Sequence, residues 1–216
     1  MPDNVDIFLK MTGPDQRQIQ GESKDAHFRG LVEIEDFELS ARSMEKYHAA
    51  KEKERREEDD GGGEVDRPML EKAKSRNFAQ SQIELKSTDD DDESAFTLKV
   101  TKEMDYVSSD LAQSYSWNLA GMREKFPKIV MYVRKRGTEN FVYLTFTFKD
   151  CYVVNYHLAL SGGGKDATSI PVETVEFTFS GCAMEYHTQT ETGGRTVPKT
   201  VGWDFKKRER DDSLAH

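Results

Sequence analysis

The sequence predicts a mainly β protein, an antiparallel β-barrel or two-sheet sandwich with one flanking α-helix and a long charged inserted loop. Three observations predict it. Apolar and polar residues alternate in successive runs, the pattern of strands with one face on a core and one in solvent. A single stretch, near 108–120, has the apolar spacing of an amphipathic helix. Residues 41–95 are charged throughout and carry no apolar stripe.

The first strand is Val5–Met11, with Val5, Ile7, Leu9 and Met11 on one face. The polar stretch Gly21-Glu22-Ser23-Lys24-Asp25-Ala26-His27-Phe28-Arg29-Gly30 then builds a loop, with Ser and Asp placed to bond turn backbone. A second strand, Leu31–Leu39, alternates Leu31 and Glu33 against Val32, Ile34 and Asp36.

Residues 43–60 are rich in helix formers, with pairs such as Glu52–Arg56 at helical spacing, each worth about 0.2–0.5 kcal/mol. Nothing apolar docks this stretch, so it is marginal alone. Gly61–Gly63 ends it, and Asp89–Glu93 repels itself into solvent. Residues 41–95 thus read as one extended loop, partly helical or disordered, inserted in a single domain spanning 1–216.

Strand pattern returns at Phe96–Val100. A helix follows, with Ser108 or Ser109 as N-cap, Asp110 against the dipole and Gly121 beyond the end. Its stripe is Leu111, Tyr115 and Leu119. Then come Lys128–Arg134, with Ile129, Met131 and Val133 inward, and Phe141–Tyr156, with Val142, Leu144, Phe146 and Phe148 in phase. Val172–Tyr186 changes parity at Ser180-Gly181, as at a β-bulge. Val201–Phe205 is the last strand, and 206–216 reads as a loose charged tail.

Composition excludes several functions. Of 216 residues, 36% are hydrophobic and 33% charged, with a net charge of −9. Residues 41–95 hold 11 Lys/Arg and 16 Asp/Glu, so more than half of that charge is local. The remaining ~160 residues suffice for a single core. An acidic chain lacks the basic footprint of a nucleic-acid binder. No run approaches the ~20 apolar residues of a membrane span. The N-terminus lacks the regions of a cleaved signal peptide. Cys151 and Cys182 are too few for a disulfide framework. The expected location on synthesis is the cytoplasm.

Several segments, in order, resemble the Hcp family, the tube proteins of type VI secretion. They are Ile7–Lys10, then Gly21, Glu22, Ser23, Lys24 and Asp25 with His27 and Phe37, then Thr101-Lys102-Glu103-Met104-Asp105 leading to Ser109-Asp110-Leu111. Val130–Lys135 with Asn140–Leu144, Val175–Phe179 with Met184–Tyr186, and the ending Gly202, Trp203 and Asp204 complete the match. The resemblance implies a hexameric ring with a wide central hole. Such rings stack into the inner tube of a contractile machine, leave the cell with its spike without a cleaved signal, and carry effectors inside. Implied partners are further copies, the spike, the sheath and baseplate, and effector proteins. The stretch between Gly13 and Gly21 is longer than usual for the family. The 41–95 insertion sits where the family's extended loop meets the next ring, which puts ordinary stacking in question.

No cofactor, metal or catalytic residue is expected. Cys182 with His187, or Cys151 with His157, has the types of a Cys–His nucleophile pair. Cys182 on an apolar strand face reads instead as a small buried hydrophobe. His27, His48, His157, His187 and His216 show no zinc spacing. Asp89–Asp92 lacks the alternating ligands and glycine of an EF-hand loop. Glu22, Ser23 and Asp25 read as turn builders rather than acid–base groups. Trp117, off the helix stripe, is a candidate interface anchor, as are Glu45, Tyr47 and Arg56 in the insertion; Trp203 suits an interface or the core equally. The alternatives are a β-sandwich binding module or effector active through 41–95, and a phage-like tail-tube protein.

Overall fold

A computed structural model describes residues 5–41, 96–136, 141–160, 170–188 and 196–215. The chain divides into two units, Met1–Ser40 with Phe96–His216, and Ala41–Ala95. Beyond the strand residue Ala41, the second unit lies outside the described residues, and with it the expectations for 42–95.

The described elements are β1 (Val5–Thr12), β2 (Val32–Ile34), β3 (Asp36–Ala41), β4 (Phe96–Glu103), α1 (Ser108–Leu119), β5 (Phe126–Lys135), β6 (Phe141–Ala159), β7 (Val172–Thr178), β8 (Gly181–Tyr186), β9 (Lys199–Asp204) and β10 (Glu209–Arg210). The fold is mainly antiparallel β with one α-helix among these residues. β1 lies between β2 and β5, β5 pairs β6, β6 pairs β7, and β7 pairs β4. β3 joins β4, and the Glu35 N–H donates to the Thr101 carbonyl at 2.9 Å, where β2 gives way to β3. The path returns to β1, so the sheet closes as a barrel and hides most of its edges.

Its interior is filled by the alternating faces read from sequence. Leu9, Met11, Leu98, Val100, Ile129, Met131, Phe148, Val153, Val175 and Phe177 are all nearly inaccessible. Burying each large apolar side chain is worth about 1.5–3 kcal/mol.

Several local expectations change. Leu31–Leu39 is two strands rather than one, because the chain turns at Glu35 from a partnership with β1 to one with β4. Val172–Tyr186 is likewise two: β7 follows β4 and the far half of β6, while β8 lies along the near half of β6 and β9. The parity change at Ser180 marks that junction, not a bulge. β6 changes its own inward parity from Phe148 to Cys151 at Asp150, whose φ is 48°. This break is what lets one 19-residue strand serve two neighbours along one edge.

The helix entry also differs. No Ser side chain caps α1; its first turn is set by Asp105, whose carboxylate accepts the Val107 N–H at 3.0 Å. Ser108 Oγ accepts the Asp105 N–H at 2.9 Å in return, a reciprocal capping arrangement. Leu111 is buried, but Leu119 is exposed and Ser114 takes the inward place. The expected loose tail is ordered: β10 pairs β9, and Asp212–Ala215 forms a 3-10 turn against β9 and β8.

Candidate functional site

Residues singled out by sequence take part in two clamps and a buried ion network, all of which fix strand ends. The first clamp is the Gly21–Gly30 loop. Gly21 N–H donates to the Gly30 carbonyl at 2.8 Å, Gly30 N–H to the Ser23 carbonyl at 2.9 Å, and Ser23 N–H to the Leu31 carbonyl at 3.1 Å. Gly21 runs so close to the Leu31 carbonyl that a side chain would collide with it. Ser23 Oγ accepts the Asp25 N–H, and Asp25 Oδ1 accepts the N–H groups of His27 and Phe28. Glu22 reaches out of the loop to accept the Tyr106 N–H at 3.0 Å, tying it to the helix entry. Lys24 and the His27 ring face solvent.

This loop covers the outer face of β1 and β5. Phe28 stacks on Phe8, centroids 4.5 Å apart, and lies 5.4 Å from Tyr132. Phe8 is therefore buried although its strand parity points it away from the barrel interior. Arg134 locks the cover. It donates to both oxygens of Asp25 at 3.0 and 2.7 Å and twice to Asp6 Oδ2 at 3.2 and 2.6 Å. Its guanidinium also lies 5.1 and 5.4 Å from the Phe8 and Phe28 ring centres. The Arg134 hydrogen bonds, against the opposing cost of burial and helped by the two backbone N–H groups, hold the Asp25 carboxyl at about 2.

The network lies where β4, β7, β6 and α1 meet. Lys102 Nζ donates to Glu173 Oε1, Asp105 Oδ1 and the Glu103 carbonyl, each at 2.7 Å. Ser108 Oγ donates to Glu173 Oε1 at 2.9 Å, and Tyr156 Oη to Glu173 Oε2 at 2.7 Å. Lys102 and Glu173 are 1% and 0% exposed, so both charges depend on these partners. Burial, then the Glu173 carboxylate, pushes the Tyr156 hydroxyl pKa up, so it remains the donor.

The second clamp is the C-terminal segment. Gly202 N–H donates to Asp212 Oδ1 at 2.9 Å, and Asp211 N–H returns to the Gly202 carbonyl at 3.0 Å. Asp204 is buried; that burial disfavours its charge, but the Lys207 N–H and the Lys149 and Lys207 charges outweigh it and lower the pKa. Gly202 abuts the Asp211 carbonyl with no room for a Cβ. Gly202→Ala is expected to cost more than ~1 kcal/mol and to lower Tm by at least about 2–4 °C in thermal unfolding.

Trp203 is 43% and Trp117 37% exposed, so neither is core. Glu45, Tyr47 and Arg56 lie outside the described residues, as do His48 and Asp89–Asp92. The thiols are poor nucleophiles. Burial pushes Cys151 well up and Cys182 up to about 12. Neither is expected to be alkylated by iodoacetamide at pH 8 in the folded protein, with both modified in urea. Among the described residues no three His, Cys, Asp or Glu side chains are gathered as metal ligands.

Sequence reasoning missed Arg134, read only as part of a basic strand end, and Glu173, whose partner Lys102 is 71 residues away.

A closed barrel whose polar clusters brace its own ends has the character of a structural component. The family model described as "Type VI secretion system effector, Hcp" matches residues 73–186, just over half of the chain, and the chain belongs to that family. Solved structures share the fold at low identity. A type six secretion system protein is 18% identical with a TM-score of 0.63, covering 96% of this chain and 100% of that one. Hcp1 from Salmonella typhimurium is 21% identical with a TM-score of 0.57, covering 96% and 99%. The secreted protein Hcp3 from Pseudomonas aeruginosa is 11% identical with a TM-score of 0.53, covering 94% and 99%. No curated protein sequence matches the chain. As an Hcp protein it is a structural tube component of type VI secretion, and secreted. No described helix is long and apolar enough to cross a membrane.

Proposed function

We propose that the protein assembles as a hexameric ring around a wide hole, that rings stack into the inner tube, and that it is exported with the spike. Its lumen holds effectors, and the sheath and baseplate enclose the tube. Family membership carries this reading. Large apolar side chains left in solvent on the barrel, Trp117, Val201 and Trp203 among them, support it.

Residues 41–95 modulate stacking, a reading that rests on their position between β3 and β4 and on their acidity. Deleting residues 41–95 and imaging tubes tests this; unchanged assembly removes it. For the ring itself, chromatography with light scattering is expected to give six times the 24.7 kDa of the chain. A stable monomer overturns the proposal.

A further inference from the structure

β8 and β9 extend the core-facing side of the sheet past the closed barrel. Cys182 stands opposite Trp203, and Met184 opposite Val201 and Phe146. With Leu39, Phe96, Phe179 and Phe205 they line a concave groove of about 380 Å³. Its walls are apolar, yet Leu39, Val201 and Trp203 are about two-fifths exposed. Lys199, Lys206 and Lys207 lie exposed at the ends of this strip of chain.

A concave surface cannot seal against its own copy, which argues against a two-fold contact through the groove. It needs a convex apolar counterpart. The C-terminal turn of α1 offers one. Trp117, Leu119 and Met122 are all exposed, and the Met122 N–H folds back to the Trp117 carbonyl at 3.0 Å, placing its backbone beside that residue. The last turn of α1 holds no basic residue, so its carbonyl end is a negative pole facing out. Nearby Lys125 is engaged by Asp150 at 2.7 Å. Shape and apolarity therefore match between the two surfaces, with the helix dipole set against the groove's lysines and the exposed Arg123 beside Met122 working against it. Another exposed apolar cluster, Leu158, Leu160 and Ile170, borders residues 161–169, and the groove's Leu39 and Phe96 stand near either end of 42–95; both segments lie outside the described residues.

We infer that the α1 C-terminal turn of one copy docks in the β8–β9 groove of the next, with Trp117 as the anchor beside Trp203. This rests on the ring reading and deepens it, since a head-to-tail contact between two different surfaces is the kind that closes into rings.

The test uses Trp117→Cys and Trp203→Cys in the full chain, both at exposed positions and each with Cys182→Ser, since Cys182 faces position 203 across the strand pair, while Cys151 stays buried. On oxidation, an equimolar mixture of the two single variants is expected to give disulfide-linked pairs that neither gives alone. The double variant is expected to give a ladder of linked chains. Self-linked pairs from either single variant would indicate a two-fold contact and overturn the inference. So would a thiol introduced by Trp203→Cys that resists a maleimide in separated monomers, the mark of a groove covered by its own chain. Absence of linkage in the mixture while light scattering still finds multimers sinks this contact and leaves the ring standing. A monomer by light scattering removes both.

Discussion

Lys102→Met is expected to be the most damaging single change, costing about 3–5 kcal/mol. The substitution fits the space but leaves Glu173, fully inaccessible, holding a negative charge with only two hydroxyl donors, Ser108 and Tyr156. Those hydroxyls cannot replace an ammonium at 2.7 Å. Asp105 loses its cation as well, so the first turn of α1 loosens together with the β4–β7 pairing. Urea unfolding measures the loss. Lys102→Met with Glu173→Leu should recover much of it, since removing both charges removes the need for either. A loss below about 1 kcal/mol in the single variant would mean that the network is not needed for stability.

Arg134→Ala comes second, at about 3 kcal/mol. The guanidinium joins Asp6 on β1, Asp25 in the loop and the Phe8–Phe28 stack, so its loss frees the Gly21–Gly30 cover from the outer sheet face. Arg134→Lys should not rescue it, because an ammonium cannot bridge both Asp25 oxygens and lie against two rings.

The same clamp predicts a pH dependence. The Asp25 pKa is lowered by folding to about 2, so its stabilisation is complete above the unfolded value and is lost as pH falls toward 2. Wild-type stability should therefore drop between about pH 4 and pH 2, and Arg134→Ala should drop less over that window. Equal slopes in urea titrations at those pH values would contradict the assignment.

These two residues also mark where sequence reading ends. β1 and β5 were legible because Ile7, Leu9, Met11 and Ile129, Met131, Val133 alternate without interruption and all face one interior. α1 was legible through Leu111, though its cap was misplaced because Asp105 caps from before the serines. A lysine inside a barrel has no such signature. Its spacing is that of any polar residue on a strand, and only the approach of Glu173 from a distant strand explains its burial. The break in β6 at Asp150 escaped for a related reason. Alternation locates faces, whereas a strand serving two neighbours must change face, and the residue that does so is fixed by tertiary pairing. The loop Gly21–Asp25 was legible as turn architecture, but not that it roofs Phe8. That depends on Arg134, which lies 109 residues from Asp25. The C-terminal segment read as charged and loose because its locking contacts are hydrogen bonds of the Gly202 backbone, to the Asp212 carboxylate and from the Asp211 N–H, which leave no hydrophobic pattern.

The central claim is that this barrel is one unit of a ring. Electron microscopy of the purified full chain tests it most directly. Top views with six subunits around an open centre are the expected result, and fields of single compact particles at micromolar concentration would contradict it.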